Sequence, residues 1–255
     1  MCLIAWNWQP GTSTPLLLLA NRDEFYARPA LPLHWWEPHI DGTQVLAGKD
    51  LRSDGTWLGL SRTGRLAALT NFRSAEPQRS NTPSRGELVA GFLHSNLSSH
   101  GYLQQLALRC GDYNPFNLLV FDGDQLMGLE SRSAKVVNQA PGLGAVSNAN
   151  FHTPWPKLTQ LQAGLEAHAG MENIENLQQF IPLLHNRKRV TDAALPRTGV
   201  ALARERALSA IFIATPDYGT RACSVVALRQ NRAEFLEQSY GPAGLFAETQ
   251  LQFSL

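Results

Sequence analysis

The sequence predicts an α+β protein in which two mainly antiparallel sheets pack between layers of helix. Three observations lead there. Short apolar, β-prone runs are separated by turn clusters and return in pairs, as hairpin strands do. No dozen-residue helix alternates with each strand, which argues against a doubly wound parallel sheet. The order is strands, helices, strands, helices, strands, and no repeat, low-complexity tract or long linker interrupts it. Residues 1–255 are therefore expected to form one domain.

Taken in order, residues 2–8 are apolar and β-prone, and Gln9-Pro10-Gly11-Thr12-Ser13 is a turn cluster. Residues 16–20 return as the second strand of a hairpin. Residues 28–38, rich in Pro and Trp, read as an irregular surface loop. Residues 57–61 and 66–71 flank Arg62-Thr63-Gly64-Arg65 as a further hairpin. Ser84-Arg85-Gly86-Glu87 has the spacing of a capping box, and Leu88, Val89, Phe92 and Leu93 follow at helical period. A second helix is expected over residues 102–109. Residues 116–121 and 126–130 form a hairpin about Asp122-Gly123. Two helices are expected over residues 155–168 and 174–185, with Pro156 tolerated in the first turn. Residues 207–215, 223–228 and 233–238 close the chain as strands.

Composition narrows the function classes. The chain is 44% apolar and 17% charged, ordinary for a globular core, and its net charge of +1 offers no long-range pull toward nucleic acid or an anionic membrane. The Leu16-Leu17-Leu18-Leu19-Ala20 run is too short to span a bilayer and has the wrong flanking charges for a signal sequence. Three widely spaced cysteines, Cys2, Cys110 and Cys223, suit a reducing compartment, so a cytoplasmic location is expected. Neither a zinc-type His/Cys spacing nor a phosphate loop is present, and no metal site is expected. Trp35, Trp36 and Trp57 are candidates to line an apolar pocket or to cover the core, with the core favoured for Trp57.

Cys2 carries the chemistry. It directly follows Met1, and small second residues permit removal of the initiator. The freed α-amine titrates at about 7.7–8.0, so it can serve as base for the thiol beside it. Asn21-Arg22-Asp23-Glu24 follows the hairpin partner of the Cys2 strand, which returns Arg22 and Asp23 toward the N-terminus. Asp23 is suited to hold the amine, and Arg22 to stabilise a thiolate.

Ala20-Asn21-Arg22-Asp23-Glu24 after Met1-Cys2 resembles the NRDE family, also called the transport and Golgi organisation protein 2 family. The resemblance continues through Gly55-Thr56-Trp57-Leu58-Gly59, Leu69-Thr70-Asn71, Ser84-Arg85-Gly86, Phe116-Asn117-Leu118, Ser147-Asn148, Trp155-Pro156-Lys157 and Tyr218-Gly219-Thr220-Arg221. It implies the four-layer αββα sandwich of N-terminal nucleophile hydrolases, with the choloylglycine hydrolase and penicillin V acylase group as nearest pattern. The site it implies is Cys2, Arg22, Asp23, Asn71, Asn148 and Arg221. Asn71 and Asn148 would supply oxyanion donors, and Arg221 would lie under Cys2 and balance Asp23.

Two functions follow as expectations. One is hydrolysis of the amide bond of a small, apolar-acyl, non-peptide substrate through a thioester, with no cofactor. The other, also implied by the resemblance, is a non-catalytic carrier of haem or acyl-CoA-type lipid. Haem would then take His34, His39, His94, His100 or Cys2 as axial ligand.

Overall fold

The computed structural model describes residues 2–168, 174 and 176–255. The chain opens with β1 (Cys2–Trp8) and β2 (Leu16–Phe25), then β3 (Ala30–Trp35), β4 (Val45–Asp50), β5 (Leu58–Ser61) and β6 (Leu66–Asn71). Helices α1 (Gly86–His94) and α2 (Ser99–Ala107) follow. Next come β7 (Phe116–Phe121), β8 (Leu126–Glu130), β9 (Lys135–Asn138) and β10 (Gly142–Val146). Helices α3 (Pro156–Glu166), α4 (Ile181–Leu184) and α5 (Leu202–Ala207) precede β11 (Tyr218–Leu228), β12 (Arg232–Gly241) and β13 (Gly244–Ser254).

The strands form two antiparallel sheets. One has the order β10-β1-β2-β11-β12-β13, the other β3-β4-β5-β6-β7-β8-β9. Ile4, Trp6, Leu18, Leu46, Leu60 and Phe121 meet between the sheets. On the outer face of the first sheet, Leu3, Ala5, Leu17 and Leu19 pack against Leu158, Leu161 and Leu184 of α3 and α4. On the outer face of the second, Ala67 and Leu118 pack against Leu88, Phe92 and Leu103 of α1 and α2. The result is the expected αββα sandwich. Strands covered on both faces need apolar side chains at every position, which explains the unbroken Leu16–Leu19 run. No helix among the described residues is long and apolar enough to cross a membrane.

Several expectations change. Residues 28–38 are not a loop, because β3 pairs with β4 there. Pro32 is accommodated at a register shift between Leu31 and His34 on an edge strand, where a missing N–H costs little. Residues 207–215 form no strand. Leu208, Ala210, Ile211, Phe212 and Ile213 are buried, but the Ile211 carbonyl accepts from Asn21 Nδ2 at 2.9 Å instead of entering a ladder, and Ala214 makes an isolated bridge to Gly219. The capping box does not close, since Glu87 accepts from the Tyr113 hydroxyl at 2.6 Å and α1 has no side-chain cap. Residues 177–180 form a 3₁₀ turn leading into the short α4. The start of the helix expected over 174–185 is outside the described residues at Glu175, as is Met1. Strand β10 escaped prediction because glycine masks its pattern. A Cβ on Gly144 would lie 2.3 Å from the Trp6 ring, so the ring covers bare backbone.

Candidate active site

Hairpin register sets the site. In the β1–β2 ladder Cys2 stands opposite Arg22, and in the β2–β11 ladder Asp23 stands opposite Thr220. Side chains alternate along a strand. Cys2 and Arg22 share the inter-sheet side with Ile4 and Ala20, whereas Asp23 shares the helix side with Asn21, which bonds the Leu184 carbonyl of α4.

Arg22 crosses to the second sheet. Its Nη2 donates to Asp50 Oδ2 at 3.0 Å, and its guanidinium lies 4.2 Å from the Trp57 ring centroid. Arg28 Nε donates to the same oxygen at 2.6 Å. The other Asp50 oxygen accepts backbone N–H groups of Arg52 (3.0 Å) and Ser53 (3.2 Å), so a fixed carboxylate holds both arginines. Between the sheet ends lies a cleft of about 80 Å³ lined by Cys2, Arg22, Arg28, Trp57, Asn71 and Arg85, among others. Its wall depends on bare backbone: a Cβ on Gly55 would come within 2.6 Å of the Gly86 carbonyl carbon. Burial pushes the Cys2 thiol up, and the Arg22 charge opposes that shift.

A second layer of groups backs the strand. Ser147 Oγ donates to the Cys2 carbonyl at 3.2 Å, and Asn148 Nδ2 donates to the Asn71 carbonyl at 2.9 Å. Arg73 donates to Glu205 at 2.6 Å and stacks over Trp155 at 4.7 Å. Thr220 Oγ1 donates to Asp23 Oδ1 at 2.7 Å, and the Tyr218 hydroxyl donates to the Asp23 carbonyl at 3.0 Å. Burial raises Asp23, with the nearby Lys157 charge pulling the other way.

The structure thus gathers Cys2, Arg22, Asp23 and Asn71 at one cleft. Asn71 makes no side-chain hydrogen bond among the described residues, so its amide is available to a ligand. Asn148 is fully buried and serves as a strut between β6 and β10 rather than lining the cleft. Arg221 is elsewhere. It is bypassed in the register between Thr220 and Ala222, and its guanidinium donates to the carbonyls of Phe25, Arg28 and Tyr240. It therefore clamps the turn that delivers Arg28, and its charge does not pair with Asp23. Trp35 packs on Phe253 and Trp36 bonds the Ala47 carbonyl, so neither forms the cleft wall. His34, His39, His94 and His100 are also absent from that lining, and no cluster suited to a metal ion occurs among the described residues.

Asp50, Arg28, Arg73 and Glu205 were not singled out from sequence, and Arg85 and Lys157 entered only inside quoted motifs, with no role in the site. Most carry no local signal, since each meets the site only through folding. Lys157 did carry one: a lysine in the first turn of a helix opposes the helix dipole.

Known proteins align with this architecture. The chain is 37% identical to a Transport and Golgi organization protein 2 homolog of Bos taurus over 246 residues, covering 89% of this chain and 88% of the relative. It is 31% identical to the Mus musculus homolog over 260 residues, covering 94% and 93%. Among solved structures, a C2A mutant of the conjugated bile acid hydrolase from Clostridium perfringens superposes with a TM-score of 0.54 at 10% identity, covering 100% of this chain and 92% of that one. A second variant of the same hydrolase gives 0.52 at 10% identity, covering 100% and 96%. These structures share the N-terminal nucleophile hydrolase fold. With the family model of Transport and Golgi organisation 2 matching residues 1–242, the chain belongs to that family.

Proposed function

We propose that the protein is an N-terminal-cysteine hydrolase acting on the amide bond of a small non-peptide substrate. The observation that carries this reading is the Cys2 thiol lining a cleft beside the uncommitted amide of Asn71. The bile acid hydrolase structures lend support, since they share the architecture and one carries C2A, a replacement of the cysteine at its second position.

In this mechanism Met1 is removed and the Cys2 α-amine takes the thiol proton. Sγ attacks the substrate carbonyl and a tetrahedral oxyanion forms. The Asn71 amide donates to it, as preorganised oxyanion donors do. The leaving amine departs with the proton, leaving a thioester that water hydrolyses. Asp23, held by Thr220, orients the amine, and Arg22, held by Asp50, favours the thiolate. The cleft is small and its lining sets Arg22, Arg28 and Arg85 against Asp23, Glu24 and Asp50, which favours a compact polar acyl group over the apolar one expected from sequence. Three free cysteines keep a cytoplasmic location as part of the proposal. The test is amide cleavage by wild type and Cys2→Ala across a panel of small N-acyl compounds. Loss of cleavage in the variant is expected; undiminished cleavage refutes the reading.

A further inference from the structure

Lys157 is 2% exposed, and its Nζ has no hydrogen-bond partner among the described residues. Lysine is almost never buried so deeply without a partner, because the ammonium gives up its hydration for nothing in return. Its position adds to the cost. Lys157 lies in the first turn of α3, after Pro156, where the helix dipole favours anions. Neither packing nor capping explains a cation there.

The surrounding charges do. Asp23 on β2, Cys2 on β1, Arg73 after β6 and Glu205 on α5 all act on Lys157. Tyr218 on β11 reaches the same corner through its bond to the Asp23 carbonyl. Arg73 pairs with Glu205 at 2.6 Å, yet its charge opposes that of Lys157 more strongly than Glu205 supports it. The groups that most favour the Lys157 charge are Asp23 and Cys2. Helix α3 packs on the outer face of β1 through Leu158 and Leu161 against Leu3 and Ala5. Lys157 therefore approaches the start of β1 from the helix side, while the Cys2 thiol points between the sheets. The interaction acts through space.

We infer that Lys157 is a positioning residue of the Cys2 site, a buried counter-charge that keeps Asp23 ionised and draws the Cys2 thiol toward its thiolate. The inference rests on the reading of Cys2 as the nucleophile. Burial and Arg73 bring Lys157 down to about 8, so its charge is present at neutral pH and lost just above it. The site then contains a titrating cation beside its nucleophile, and thiol reactivity changes slope where that cation discharges.

The test measures alkylation of Cys2 by iodoacetamide against pH, localised by peptide mass spectrometry, in wild type, Lys157→Met and Lys157→Arg. No substrate is involved, so failure of the hydrolase reading does not alter the result. Wild type is expected to show an inflection near pH 8. Lys157→Met should lower the rate at pH 7 by about tenfold, the effect of one unit in thiol acidity. Lys157→Arg should restore the rate and abolish the inflection, because guanidinium does not titrate there. An unchanged profile in Lys157→Met, or equal loss in both variants, overturns the inference. Should the variants fold poorly, ¹³Cε-lysine NMR of the wild type decides. One of the four lysines should titrate near pH 8, and all four titrating with free lysine near about 10.4 overturns the assignment.

Discussion

The protein buries ionisable groups on both faces of its first sheet and handles them in opposite ways. Between the sheets, Glu237 of β12 is 1% exposed and saturated by neutral donors. It accepts from the Leu33 N–H at 2.9 Å, from Ser224 Oγ at 3.2 Å and from Ser239 Oγ at 3.3 Å. It ties β12 to β3 and lines no part of the Cys2 cleft. At the Cys2 end, Asp23, Arg73, Glu205 and Lys157 crowd one corner, with Lys157 making no hydrogen bond. A carboxylate held by neutral donors behaves as a structural tie. Charges held mainly by one another, beside a thiol that lines a cleft, are arranged for chemistry.

Two substitutions sharpen this contrast. The larger effect belongs to the charged corner. Glu205→Ala takes the carboxylate from the buried Arg73–Glu205 pair, and removing one partner of a buried ion pair costs about 3–5 kcal/mol. Urea unfolding at neutral pH should report that loss, together with slower Cys2 alkylation as Arg73 and Asn148 shift. The smaller effect belongs to Glu237, which burial raises from 4.5 to about 7. The folded state therefore holds a proton that the unfolded chain releases. Stability from this group is present below about pH 4.5 and is lost as pH rises through 7, on the order of 3 kcal/mol in all. Glu237→Gln keeps an acceptor for Leu33 and removes the titration. Its unfolding free energy should fall less than that of wild type between pH 4.5 and 8, with alkylation of Cys2 unaffected.

Much of the fold was legible from sequence, for a physical reason. The strands of β1, β2, β7 and β11 are covered on both faces, so their apolar runs are continuous and unmistakable. Legibility failed where another element supplies the burial. Gly144 of β10 looks featureless because Trp6 fills its space, and residues 211–213 look like a strand because they are buried without a ladder partner. The site divides likewise. Cys2, Arg22 and Asp23 are joined by one hairpin, a local relation that sequence conveys. Asp50 and Glu205 reach the corner from other elements, and only packing brings them there. Arg221 entered the expected site only through the resemblance, and a register shift between Thr220 and Ala222 turns it toward the 25–28 turn.

The central proposal is that the second residue is a processed, acylatable nucleophile. Its most direct test is intact and peptide mass spectrometry of purified protein before and after brief exposure to an activated acyl ester. The account predicts a chain lighter by one methionine that gains a single acyl group on the Cys2 sulfur, removable by hydroxylamine. A chain retaining Met1 whose Cys2 stays unmodified would contradict it.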